Sequence, residues 1–109
     1  MTKEEAIRKV IECGAANGYG DCADLCLQYL KLLGRNHAKP RPPLTPAKVS
    51  EAVGRKPNIG DWDFGDILLD TEGLAIAMRK HCLRVHEATG LLMVKVFPGA
   101  ALHWSIQDG

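Results

Sequence analysis

The sequence carries almost no net charge, few aromatic residues and no long apolar run. Its 14 Lys and Arg residues nearly balance its 13 Asp and Glu residues, which gives a formal net charge of +1, and 6% of its residues are aromatic. Nucleic-acid-binding proteins usually have a clear basic excess, so this balance argues against a nucleic-acid partner. The chain also has no continuous run of roughly 18 apolar residues, which a membrane-spanning helix needs. This absence predicts no membrane partner. The charged start, Met-Thr-Lys-Glu-Glu, is unlike a signal peptide and predicts a cytoplasmic protein.

The four cysteines lack the spacing of a structural zinc site. Such sites commonly use Cys-x-x-Cys pairs, whereas Cys22 and Cys26 are separated by three residues and Cys13 and Cys82 are isolated. In a cytoplasmic protein we expect all four to be free thiols, most of them buried. No glycine-rich segment is followed by the lysine of a phosphate-binding loop. The sequence therefore predicts neither a metal nor another cofactor.

A length of 109 residues is typical of one compact core, and we predict a single domain over residues 1–109. Residues 34–60 are rich in proline and basic side chains, which is typical of a connection on the surface. Within that connection, Thr45 as N-cap and Pro46 as the first helical residue predict a short helix that continues to Val53.

Two helices are predicted before this connection. Residues 2–13 place apolar side chains at helical spacing, and Thr2 and Glu5 have the separation of a capping box. We expect Gly14 to end that helix. Asp21 is a suitable N-cap for a second helix, from residue 22 to about residue 33, whose apolar residues cover more than one stripe. A helix of that kind is expected to be buried against a sheet.

The second half of the chain changes from helical spacing to short apolar or alternating runs, separated by Asp, Gly, Lys or His residues. Such runs predict the strands of an antiparallel sheet, at residues 67–69, 74–76, 83–85, 91–97 and 102–106. Helices followed by strands are typical of an α+β fold, with the N-terminal helices packed on the C-terminal antiparallel sheet.

Cys22 is the residue most able to carry chemistry. As the first residue of a helix it lies where free amides and the helix dipole favour a thiolate, the form of cysteine that attacks carbonyl carbon. The neighbouring carboxylates Asp21 and Asp24 oppose that effect. A second interpretation therefore stays open, in which Cys22 and Cys26 are buried core thiols one helical turn apart.

Three segments resemble the NlpC-type branch of the papain-like cysteine peptidases, above all the small NlpC-like cell-wall peptidases encoded among phage tail genes. Residues 20–25, Gly-Asp-Cys-Ala-Asp-Leu, are similar to the family's nucleophile helix. Residues 64–69, Phe-Gly-Asp-Ile-Leu-Leu, are similar to its first strand, and residues 73–77, Gly-Leu-Ala-Ile-Ala, to its second. The resemblance implies a minimal papain-like core with Cys22 at the nucleophile position.

The chain departs from the family at the residue that supplies the general base. The family's second strand begins with a histidine, and the corresponding residue here is Gly73. A cysteine peptidase needs that imidazole to form the thiolate and to protonate the leaving amine. His86 matches the family's third, polar site residue and is the first candidate for a replacement base. His103, beside Trp104 on the last strand, is the second candidate.

Two functions follow from the resemblance. The first is a non-catalytic module with a degenerate active site, acting in phage tail structure or assembly or binding a host protein, in the host cytoplasm or the virion. The alternative is a cysteine peptidase or amidase that cleaves peptidoglycan peptide bonds through an acyl-enzyme on Cys22. Gly73 distinguishes the two, because a fold does not retain an activity whose site residue is missing.

Overall fold

Three helices precede five antiparallel strands in the computed structural model, which describes residues 1–34, 45–86, 88–96 and 102–106. The helices are α1 (Lys3–Asn17), α2 (Cys22–Leu32) and α3 (Pro46–Val53). The strands are β1 (Ile67–Asp70), β2 (Gly73–Ala77), β3 (His81–His86), β4 (Leu91–Val96) and β5 (Leu102–Trp104). The predicted α+β class, with helices first and an antiparallel sheet afterwards, is confirmed.

Helix α1 begins as predicted but ends later than predicted. The Thr2 side chain accepts a hydrogen bond from the Glu5 amide, and the Glu5 carboxylate accepts one from the Thr2 amide, which completes the capping box. The helix then continues past Gly14 and is capped by Gly18, whose φ of 71° suits glycine. Gly14 is a packing residue rather than a helix end, because a Cβ at that position would overlap the Leu92 side chain of β4.

Helices α2 and α3 have the caps that the sequence predicts. The Asp21 carboxylate accepts a hydrogen bond from the Asp24 amide at 2.8 Å, and α2 starts at the next residue, Cys22. Thr45 caps α3 through the Lys48 amide, and Gly54 ends it with φ of 80°. Residues 35–44 of the predicted connection, which include His37, lie outside the described residues.

The five strands form one sheet in the order β4-β3-β2-β1-β5. Strands β1 to β4 follow one another as a meander, and β5 returns to pair with β1 through Ile67 opposite Trp104. Side chains alternate between the two sides of a sheet, so one side faces the helices and the other faces away from them. We name these the helix side and the open side of the sheet.

The helix side carries the main apolar core. Leu25 and Tyr29 of α2 and Trp104 of β5 are fully buried in it, and the Trp104 indole donates a hydrogen bond to Ser50 Oγ of α3 at 3.0 Å. The Tyr29 hydroxyl donates to the Gly65 carbonyl oxygen at 2.6 Å, which fixes α2 against the start of β1. The longest described helix has 15 residues, and none of the described helices combines the length and hydropathy needed to cross a bilayer.

Candidate functional site

Cys22 lies at the N-terminus of α2, where that helix meets the sheet, and its side chain is almost fully buried, with 5% exposure. Its Sγ atom contacts the backbone of β3 at a single residue. Sγ lies 3.5 Å from the Val85 carbonyl oxygen, to which the thiol donates, and 3.4 Å from the Val85 amide nitrogen, from which it accepts. The same sulfur atom is therefore both donor and acceptor for Val85.

These two hydrogen bonds fill a gap in the sheet. Strands β2 and β3 pair at Ala77 with Cys82 and at Ile76 with Leu83, and their pairing ends there. Continued in register, the ladder would place Leu74 opposite Val85 and join their backbones. Instead Cys22 Sγ bonds the Val85 backbone, and the Arg84 guanidinium donates to the Leu74 carbonyl oxygen at 3.5 Å. Two side chains thus replace the missing backbone pairing.

The arrangement around Sγ favours a neutral thiol over a thiolate. Donation to the Val85 carbonyl requires a proton on sulfur, and a thiolate would bring its charge against that carbonyl oxygen. One turn further along α2, burial raises the pKa of the Cys26 thiol, with a smaller contribution from Cys22 itself. The Cys26 thiol is therefore held in its uncharged form.

A pocket of about 300 Å³ lies beside Cys22. Most of its lining belongs to the open side of the sheet, and Cys22, a residue of the apolar core, lines it as well. The lining residues are Cys22, Glu72, Arg84, Val85, His86, Ala88, Met93 and Lys95. The pocket combines two basic side chains, one acidic side chain and one imidazole around a sulfur atom and is small and polar compared with most ligand sites.

Arg84 is the central charged residue of this pocket. It is 3% exposed, and its guanidinium is paired with the Asp70 carboxylate through Nη2 and bonded to the Gly73 carbonyl oxygen through Nη1 at 3.3 Å. Burial alone would lower the pKa of Arg84, but hydrogen bonding to Cys82 and the charge of Asp70 outweigh it and raise that pKa. The guanidinium therefore remains a fixed positive charge at the pocket wall.

Gly73 and His86 flank the gap on its two sides. If the β2 and β3 ladder continued in register beyond its last pair, Gly73 would lie opposite His86. Gly73 has φ of 112°, which disfavours any residue with a side chain, and there is open space where its Cβ would lie. His86 is exposed, its Nδ1 lies 3.3 Å from Thr89 Oγ1, and its side chain lines the same pocket as Cys22.

The structure places His103 away from Cys22. It pairs with Leu68 on the open side of the sheet, is 6% exposed, and its Nδ1 lies 3.1 Å from Asp66 Oδ2. Its Nε2 is buried and lacks a hydrogen-bond partner among the described residues. His81, at the start of β3, lies at the hairpin end, which is also distant from Cys22 in the sheet. Of the two candidate bases, only His86 shares the pocket with Cys22.

The ion pairs around this pocket are not among the features predicted from the sequence. Arg84 lies inside an apolar run, Leu83-Arg84-Val85. A charged residue within a buried strand indicates that its side chain is paired with an opposite charge. Its partner Asp70 ends β1, and Glu72 follows in the turn before β2. In the described part of the chain no three His, Cys, Asp or Glu side chains are grouped in a way that could hold a metal ion.

Comparisons with known proteins do not place the chain in a family. No protein-family model matches it, and neither a curated protein nor a solved structure is similar enough to it to give a match.

Proposed function

We propose that this chain is a phage-type NlpC-like domain whose active site is degenerate, and that it acts as a non-catalytic module. Its role is to bind a protein partner, either in phage tail structure or assembly or on a host factor. The papain-like character of the fold is part of this proposal. It rests on the resemblance of residues 20–25, 64–69 and 73–77 to the peptidase motifs.

One observation carries the non-catalytic part of the proposal. Cys22 Sγ makes both backbone hydrogen bonds of Val85 and so takes the place of a strand in the β2 and β3 ladder. A nucleophile must leave such bonds to attack a substrate, and the buried Val85 amide and carbonyl would then lose their partners. Gly73 supplies no imidazole to draw the proton from sulfur. Cys22 is thereby assigned a structural role at the former nucleophile position.

Alkylation of the native protein at several pH values tests this role. Iodoacetamide labelling with peptide mapping measures Cys22 and Cys13 in the same sample, and Cys13 is a matched control because it is only half-buried, on the surface of α1. We expect Cys22 to react more slowly than Cys13 at every pH, with no reaction well below the ordinary thiol pKa of about 8.5. Fast labelling of Cys22 near pH 6 would contradict the structural role.

A second function is favoured by a separate observation, the presence of Cys22 and His86 around one pocket. On this alternative the chain is a cysteine peptidase or amidase that cleaves peptidoglycan peptide bonds, with His86 as base. Incubation with peptidoglycan stem peptides, followed by mass spectrometry, tests it directly. Cleavage that disappears in both Cys22→Ser and His86→Ala would establish the enzyme, and the non-catalytic proposal would then be wrong.

A further inference from the structure

The Arg84 guanidinium has one nitrogen that the described residues do not satisfy. Its Nη atoms bond the Asp70 carboxylate and the carbonyl oxygens of Gly73 and Leu74, and the guanidinium also interacts with the Cys82 side chain. Its Nε is buried and makes no hydrogen bond within residues 1–34, 45–86, 88–96 and 102–106. A buried, charged donor without a partner is costly and uncommon in folded proteins. Arg84 lines the pocket beside Cys22, and a group that displaces the neighbouring Glu72 side chain would reach this buried donor.

The Glu72 carboxylate already lies where a group entering the pocket would meet Arg84 Nε, but it is too far away to form a hydrogen bond. Its Oε2 lies 3.9 Å from Arg84 Nε, beyond hydrogen-bond distance, and its Oε1 lies 3.8 Å from Lys95 Nζ. The Glu72 side chain is 58% exposed, and the Lys95 side chain is 43% exposed. A loosely held, exposed carboxylate between two basic groups is easily replaced by another one that fits better.

We propose that the pocket binds a free carboxylate, which displaces the Glu72 side chain and bonds Arg84 Nε and Lys95 Nζ. The chain's own Glu72 shows the chemistry of the ligand, an anionic planar group at the end of a flexible stem. The remaining volume, out of about 300 Å³, admits little more than one or two small residues behind it. The ligand class is therefore a short peptide with a carboxylate at its end. This inference rests on the proposed function as a protein-binding module and specifies which part of a partner the pocket recognises.

The experiment is a titration of the isotope-labelled protein, followed by backbone amide shifts of Glu72, Arg84, His86 and Lys95. The probes are acetyl-Ala-Ala with a free carboxylate, acetyl-Ala-Ala-amide, and acetyl-Ala-Asp-amide, which carries its carboxylate on a side chain. We expect saturable shifts with the first probe and at least tenfold weaker binding of the first amide. The third probe distinguishes a chain terminus from an acidic side chain as the source of the carboxylate. Inorganic phosphate is the competing anion.

Variants at the two exposed residues sharpen the test without disturbing the buried pair. Glu72→Gln removes the competing carboxylate and is expected to tighten acetyl-Ala-Ala binding by about threefold or more, whereas Lys95→Gln is expected to weaken it by a similar factor. Glu51→Gln on α3 and Lys80→Gln in the β2 and β3 hairpin are the matched controls, since both residues are exposed and outside the pocket. We expect neither control to change the affinity.

Three results would overturn the inference: equal binding of the acid and amide probes, absence of saturable shifts at millimolar probe, and tighter binding of phosphate than of any carboxylate. An unchanged affinity in Glu72→Gln would also reject the displacement step. Failure of the carboxylate-binding inference is distinguishable from failure of the proposed non-catalytic function. A reactive Cys22 with carboxylate binding would reject the non-catalytic role alone, and an inert Cys22 without binding would reject the carboxylate site alone.

Discussion

The two sides of the sheet are stabilised by different chemistry. The helix side is a continuous apolar core in which one face of α2 and the Trp104 side chain are buried. The open side has a much smaller apolar cluster, formed by Leu68, Ala75, Ala77 and Cys82 with Trp62 at its margin. Among the described residues its other buried side chains are polar: Arg84 is ion-paired with Asp70, and His103 Nδ1 lies 3.1 Å from Asp66 Oδ2.

This difference separates what maintains the fold from what forms the pocket. Apolar burial contributes roughly in proportion to area and tolerates repacking. A buried ion pair contributes little net stability, but removing one partner is severely destabilising because a charge is left alone. The helix side therefore determines how stable the domain is, whereas the open side fixes the position of a few polar groups. Cys22 connects the two, because it belongs to the apolar core and also lines the pocket.

Removal of the largest core side chain tests the helix side most strongly. Trp104→Ala deletes a fully buried indole and its hydrogen bond to Ser50 Oγ. We expect a loss of about 3–5 kcal/mol in the free energy of unfolding, toward the upper end of that range. Urea denaturation followed by circular dichroism measures it. If the variant has no cooperative transition, Trp104→Phe provides the measurement, and a loss below about 1 kcal/mol there and in Ser50→Ala would contradict the packing described.

Breaking the buried pair tests the open side. Arg84→Met leaves the Asp70 carboxylate buried without its cation, although it still accepts a hydrogen bond from the Glu72 amide at 2.8 Å. We expect a loss of about 3 kcal/mol, the lower end for a broken buried pair. The double variant Asp70→Asn with Arg84→Met should recover most of that loss in the same denaturation experiment. Equal stability of the single and double variants would show that the pair does not behave as a buried one.

The order of elements could be predicted from the sequence because local signals decide it. Thr2, Asp21 and Thr45 are capping residues whose preference depends on a few neighbouring amides, and all three caps form. The end of α1 could not be predicted, since Gly14 is a residue of the type that commonly ends a helix. Its actual role depends on close approach to Leu92, a residue 78 positions away in a strand.

The candidate site shows the same limit. Residue type and helix start single out Cys22, and the strand order brings His86 to its pocket. What the sequence does not reveal is that β2 and β3 stop pairing after Ile76 and Leu83, so that Cys22 Sγ bonds the Val85 backbone. The end of a strand pairing depends on the whole sheet, and no local pattern specifies it.

Substitution of Cys22 tests the connection between the two sides. Cys22→Ala leaves the buried Val85 amide and carbonyl without the sulfur that bonds them, and we expect a loss of about 2 kcal/mol. Cys22→Ser keeps a donor and an acceptor and should recover part of that loss. Cys13→Ala, at a half-buried cysteine of α1, is the matched control and should change the stability by less than about 0.5 kcal/mol. Equal effects at the two cysteines, measured by urea denaturation, would remove the structural role assigned to Cys22.

The smallest predicted effect concerns pH and the helix side alone. Burial raises the pKa of the Cys26 thiol in the folded protein, whereas the unfolded chain has an ordinary thiol pKa of about 8.5. Above that value the unfolded chain releases a proton that the folded protein keeps, so the stability present at neutral pH falls as pH rises, by at most about 1.4 kcal/mol per pH unit for one thiol. Cys26→Ala should therefore show a shallower loss of stability between about pH 8.5 and pH 9.5 than the unmodified protein. Parallel pH profiles of the two proteins, from urea midpoints at each pH, would show that the Cys26 thiol ionises as easily when folded as when unfolded.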